Sequence, residues 1–212
     1  MRAMRVCVFG AGAVGGNIAV MLARAGADVS VLVRGATLQA VRARGLELHT
    51  PDGVVRANVR ASDDPRELGE QDAVLVTVKQ TALTASAPAI TALLGRDTPA
   101  VFLQNGIPWW YFHGQGNADE GKRIPELDPG DVLWNTVGPQ RAVGGVAAAA
   151  GWGRAAPRRR GARARRRAGR AALHDRRRRY MRRSFTSHRS RAASAVEATV
   201  TRCQGLARHR TI

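Results

Sequence analysis

Lysine is nearly missing from this 212-residue chain, which holds Lys79 and Lys122 and otherwise relies on arginine for positive charge. Cysteine is as scarce: Cys7 and Cys203 stand far apart with no metal-ligand spacing, which excludes a disulfide framework and a zinc site. Cys7, between Val6 and Val8, reads as a buried core residue. Of the five histidines, His113, His174, His188 and His209 form no repeat with carboxylates or cysteines, so no metal is expected. No apolar run approaches the roughly 20 residues needed to span a bilayer. The opening stretch MRAMRVCVFGAG enters a strand pattern without a signal-peptide cleavage site, so a cytoplasmic protein without membrane association is expected.

Negative charge is scarce in one segment only. Up to Ala150 there are 14 basic and 14 acidic residues, whereas Gly151 to Ile212 holds 20 arginines against Asp175 and Glu197, so the net charge of +18 belongs to the tail. The tail also lacks apolar periodicity, and its Ala, Gly, Pro and Arg cannot bury enough surface to offset the entropy of ordering. Disorder is expected over residues 147–212. Such a tail can grip nucleic acid through phosphate contacts, but Trp152, Tyr180 and Phe185 are too few for aromatic interleaving, so no specific nucleic-acid partner is expected.

The first 146 residues are patterned quite differently. Arg5 to Phe9 is a short apolar run ending in glycines. Val14, Ile18, Met21 and Leu22 then recur at helical spacing until Gly26, and Val29 to Val33 forms a second strand-like run. A helix around Leu38 to Arg44 stops at Gly45. Leu46 to Thr50 and Val54 to Val59 flank the turn triplet Pro51, Asp52 and Gly53 and read as a hairpin at the sheet's edge. Ala73 to Val78 suits a strand covered on both faces, followed by a helix over Ala82 to Leu94 and a strand over Ala100 to Leu103. Pro108 to Asp131 reads as an elaborated loop. The Gly144 and Gly145 pair is expected to precede another strand. This alternation predicts an α/β fold with a doubly wound parallel sheet of the Rossmann type.

The stretch VCVFGAGAVGG places Gly10, Gly12 and Gly15 in G-x-G-x-x-G spacing between a predicted strand and a predicted helix. Gly10 permits the tight turn, Gly12 lets backbone approach a pyrophosphate, and Gly15 lets helix and strand pack closely, so Gly10, Ala11, Gly12, Ala13, Val14 and Gly15 form the expected cofactor-binding turn. NAD sites place an acid at the end of the second strand; here that position is Arg34, whose fork of donors suits the 2′-phosphate of NADP. Asp28 lies at the wrong end of that strand, and Arg42 and Arg44 read as helix surface. Lys79 after LVTV and Asn105 in FLQNGI fall beyond strand ends where such sheets bind ligands. Each has a plainer reading as well: Arg34 as a solvated strand end, Lys79 as the start of a surface helix, Asn105 as an Asn-Gly turn.

Together GAGAVGG, VLVR, VTVKQ and LQNGI, in this order and spacing, resemble the ketopantoate reductase (2-dehydropantoate 2-reductase) family over about residues 4–146. The resemblance implies NADPH-dependent reduction of 2-dehydropantoate, a small 2-oxo acid, to pantoate in pantothenate biosynthesis. It also implies roles: Gly10 through Gly15 on the pyrophosphate, Arg34 on the 2′-phosphate, Lys79 on cofactor near the cleft, and Asn105 on both nicotinamide ribose and substrate.

Beyond residue 146 the resemblance stops. The family carries its catalytic lysine, the general acid, in an all-helical second domain, and no lysine follows Lys122 here, so no catalytic residue is identified and impaired chemistry is expected. A Rossmann domain over 1–146, cut short at its last strands, with a frame-shifted tail over 147–212, is the expected organisation. The alternatives are an NADP-binding module without turnover and nonspecific nucleic-acid binding by the tail. The cluster Trp109 to Phe112 reads either as a wall of the substrate cleft or, preferably, as an apolar patch for a partner domain.

Overall fold

The structure is a computed structural model and describes residues 2–50 and 53–145. The expected tail, and any strand after Gly145, lie outside the described residues. Six strands form one parallel sheet in the order β5-β2-β1-β6-β7-β8, and β3 and β4 form a separate two-stranded sheet. With that hairpin set aside, the order is that of a Rossmann sheet, and the fold is Rossmann-like as expected.

Strand β1 (Arg5–Phe9) is central, pairing with β2 (Asp28–Leu32) on one side and β6 (Ala73–Val76) on the other. Its residues alternate between two cores because successive side chains leave a strand on opposite faces. Val6 and Val8 join Val29, Val31, Ala73 and Leu75 beneath helix α1 (Ala13–Arg24) and helix α2 (Gly35–Arg44). Cys7 and Phe9 join Val74, Val76, Ala100 and Phe102 beneath α4 (Leu83–Thr91) and α5 (Val132–Thr136). Cys7 is a core residue, as expected. Both faces of the sheet are covered, which is why these strands are apolar throughout rather than alternating.

Three details depart from expectation. The hairpin of β3 (Leu46–Thr50) and β4 (Gly53–Ala57) does not extend the main sheet. Its alternating apolar residues Leu46, Leu48, Val55 and Ala57 pack on the same core as Ala19 and Val20 of α1, which holds it over that helix. The edge beside β2 is instead β5 (Arg60–Ser62), followed by the single-turn α3 (Pro65–Leu68). The expected helix over Ala82 to Leu94 ends at Thr91, because the Leu93 and Leu94 N–H groups bond three residues back, to Ile90 and Thr91, tightening the last turn. Finally, Gly144 itself belongs to a short strand absent from the sequence-based expectation, β8 (Ala142–Gly144); β8 pairs with β7 (Ala100–Phe102), and the Gly145 N–H continues the ladder to Phe102 O at 2.9 Å.

Between β7 and α5 the chain forms the elaborated loop. Asp128, 3% exposed, accepts from the backbone N–H groups of Leu133 and Trp134 at 2.9 Å each and caps α5. Glu120 accepts from the N–H groups of Gly114, Gln115 and Gly116 at 2.8, 2.6 and 2.9 Å and draws the loop around its carboxylate.

Candidate functional site

The candidate residues gather at the carboxyl ends of β1, β6 and β7, where strand order reverses around β1, the position at which sheets of this kind bind ligands. Gly10 follows β1 with φ +95°, a conformation that side chains of the L series rarely adopt. Its N–H donates to Leu32 O at the end of β2, 3.0 Å away. Gly12 caps α1 and has nothing within 4 Å of the place a Cβ would occupy. Gly15 is the opposite case: a Cβ there would lie 2.0 Å from Gly10 O.

Those two glycines therefore have different physical causes. Gly15 is demanded by the protein's own packing, whereas nothing among the described residues demands Gly12. The first turn of α1 holds no acidic residue and no side-chain cap, so the N–H groups of Ala13, Val14 and Gly15 lack helical acceptors at the positive end of a 12-residue helix. Open space plus uncompensated donors is what an anionic, flat-sided group such as a pyrophosphate fits.

Arg34 leaves β2 two residues beyond its end, caps α2, is exposed and makes no ion pair with any described residue. Asp28 sits at the far end of β2, 3.6 Å from Arg60. Arg42 is engaged elsewhere, with Ala61 O at 3.2 Å and Glu67 at 3.6 Å, in keeping with its reading as helix surface.

Lys79 is exposed and directly precedes a single 3-10 turn over Gln80–Ala82, three residues past the end of β6. Asn105 is likewise exposed, three residues past β7, and Gly106 beyond it has φ +107°, so the Asn-Gly turn is real. Neighbouring parallel strands bring the two to one end of the sheet, though no hydrogen bond joins them. Two glutamines that the sequence reading passed over lace their loops together. Gln104 Nε2 donates to Val76 O at 3.3 Å and Val78 O at 3.1 Å, and Gln80 Nε2 donates to Ile107 O at 3.5 Å. Thr77 was also missed; its hydroxyl lies against the Gly10 carbonyl.

The aromatic cluster needs correction. Trp109 is 2% exposed, meets Phe102 edge-on at 5.8 Å and packs in the core with Leu133, while Trp110 lies 4.9 Å from Phe102. Trp109 is thus internal packing rather than part of a free patch, because α5 folds back to supply its cover, while Trp110, Tyr111 and Phe112 are half-buried. His113 sits beside Glu120 at 3.7 Å. Among the described residues no three His, Cys, Asp or Glu side chains gather as metal ligands, and no helix is long and apolar enough to cross a membrane. A small apolar hollow lined by Met4, Val6, Leu22 and Leu75 opens at the opposite end of the strands, away from these residues.

Comparison with known proteins shows what the chain is similar to. Residues 6–108 match the family model described as ketopantoate reductase PanE/ApbA. A 2-dehydropantoate 2-reductase of Mesorhizobium japonicum is 46% identical over 144 residues, covering 68% of this chain and 44% of that protein. Among solved structures, one from Ralstonia solanacearum MolK2 assigned as a ketopantoate reductase is 40% identical with a TM-score of 0.65, covering 69% of this chain and 45% of that one. The 2-dehydropantoate 2-reductase of Geobacter metallireducens GS-15 is 27% identical with a TM-score of 0.51, over 66% of this chain and 40% of that one. The chain thus spans less than half the length of the relatives it matches.

Proposed function

Residues 6–108 of this chain are of the ketopantoate reductase family, and on that premise we propose that residues 1–146 are an NADP-binding unit derived from an NADPH-dependent 2-dehydropantoate 2-reductase. The observation that carries the reading is the open space at Gly12, at the amino end of α1 and the reversal of strand order. A bound nicotinamide supplies the hydride for reducing a 2-oxo acid. The chain's own residues bind and orient: the Gly10 to Gly15 turn takes the pyrophosphate, Arg34 the 2′-phosphate, Lys79 the cofactor near the cleft, and Asn105 the nicotinamide ribose and the substrate.

Proton delivery to the carbonyl oxygen is the weak step, since residues 123–212 contain no lysine to act as the family's general acid. Loss of a positioned acid typically costs ~100 to 10,000-fold. Binding and turnover therefore separate in this chain, which acts in the cytoplasm as an impaired reductase, its frame departing near Val146.

The test is to titrate the purified chain with NADPH and NADH, and to follow NADPH oxidation with 2-dehydropantoate beside a version with the reading frame restored near Val146. NADPH is expected to bind more tightly. Arg34→Asp is expected to move the ratio at least about tenfold, because a charge-assisted bond contributes roughly 1.5 to 3 kcal/mol. Preference for NADH, or an unchanged ratio in the variant, overturns the assignment of Arg34. Equal turnover by the two versions overturns the impairment, and binding without turnover in both marks a dinucleotide-binding module.

A further inference from the structure

At the point where β1 meets β6, one side-chain hydroxyl fixes a peptide group that the glycine turn depends on. Thr77 follows β6, and its N–H continues the ladder to Phe9 O at 3.0 Å, so its backbone is set by the sheet. Its hydroxyl then lies against two carbonyls of the turn, Phe9 O at 3.2 Å and, more closely, Gly10 O. A hydroxyl has one hydrogen to donate, and the shorter contact takes it.

The Gly10 residue is consequently held at both ends, its N–H by Leu32 O and its carbonyl by Thr77. On the remaining side Gly15 closes the slot, since a Cβ there would fall 2.0 Å from Gly10 O and 2.4 Å from Thr77 Oγ1. The peptide that follows is planar and trans, so its carbonyl and its N–H point in opposite directions. Fixing the Gly10 carbonyl toward β6 therefore aims the Ala11 N–H away from it. That N–H donates to no described group.

We infer that Thr77 is a positioning residue for dinucleotide binding, its hydroxyl orienting the Gly10–Ala11 peptide so that the Ala11 N–H is presented to the pyrophosphate. The inference rests on the reading of the turn as a dinucleotide site. A valine at this position would be nearly isosteric but would set a methyl where Gly10 O now accepts a proton, turning the peptide out of register. A serine keeps the donor.

The experiment measures affinity of the full chain for NADPH and for adenosine 2′-monophosphate, which carries the 2′-phosphate and lacks the pyrophosphate, in wild type, Thr77→Val, Thr77→Ala and Thr77→Ser, with thermal midpoints alongside. Thr77→Val is expected to bind NADPH about tenfold more weakly, the loss of one well-placed donor, with adenosine 2′-monophosphate unchanged and Thr77→Ser near wild type. Where Thr77→Val fails to fold, Thr77→Ala takes its place with the same expectation. Unchanged NADPH affinity in folded Thr77→Val or Thr77→Ala refutes the positioning role alone. Parallel loss of both ligands reduces Thr77 to a structural residue. Wild type that binds neither NADPH nor NADH removes the dinucleotide reading itself, and the role of Thr77 with it.

Discussion

Alanine at Gly12 and alanine at Gly15 are the same chemical change three residues apart, and the structure gives them opposite consequences. In Gly15→Ala the new Cβ would meet Gly10 O at 2.0 Å and Thr77 Oγ1 at 2.4 Å. An unstrained carbon contact needs roughly 3.5 Å, so one partner must retreat by about 1.5 Å. Gly10 cannot yield freely, because Leu32 O holds its N–H and Thr77 its carbonyl. The expected cost is that of overpacking a rigid site, about 1–3 kcal/mol. For a unit of this size that lowers the thermal midpoint by about 3–9 °C. In Gly12→Ala the Cβ meets nothing within 4 Å and the backbone, at φ −73° and ψ −164°, suits any residue. Stability should hold, while the methyl occupies the space proposed for the pyrophosphate and NADPH affinity falls. Thermal denaturation and NADPH titration on both variants check this. A Gly15→Ala chain as stable as wild type refutes the packing argument, and a Gly12→Ala chain with undiminished NADPH binding refutes the assignment of the open space.

Two further outcomes follow from titrating groups. The N–H of Gly116, then that of Gly114, hold the Glu120 carboxyl below the usual carboxylate range. A depressed folded value stabilises the loop above the ordinary carboxylate pKa and loses that contribution as pH falls through the folded value. Hydrogen-exchange protection at residues 114–116 should therefore drop in acid, and Glu120→Gln should show low protection at every pH; protection independent of pH in wild type contradicts this. Burial pushes the Cys7 thiol up to about 11, outweighing its bond with Ser30. In a Cys203→Ser background, native chain should resist thiol reagents at pH 8 and react on unfolding, since only the thiolate attacks; rapid labelling of folded chain shows Cys7 to be accessible.

Much of the architecture was legible because its causes are local. Apolar runs of strand length between glycine stops, and helical spacing from Val14 to Leu22, follow from periods of 2 and 3.6 that any segment displays on its own. The glycine spacing likewise announced a strand-turn-helix junction. Short elements escaped for the converse reason: β5 has three residues and α5 five, lengths at which neither period can register, and both exist because the tertiary structure supplies a partner. Asp128 illustrates this, since an acid in a loop becomes a buried helix cap only when α5 is present to donate to it.

What the sequence alone determined is thus the order and type of the main elements, the location of the turn, and the composition break near residue 146. Sheet order, the detachment of the β3-β4 hairpin onto α1, and the burial of Trp109 were decided by the tertiary structure, because each depends on which surfaces meet across long stretches of chain. The same holds for Gly12, Gly15 and Thr77. Spacing marks the glycines as a set, but only the packed strands separate the one that protein atoms require from the one that faces open space, and only β6 lying beside β1 brings a hydroxyl 67 residues away onto Gly10 O.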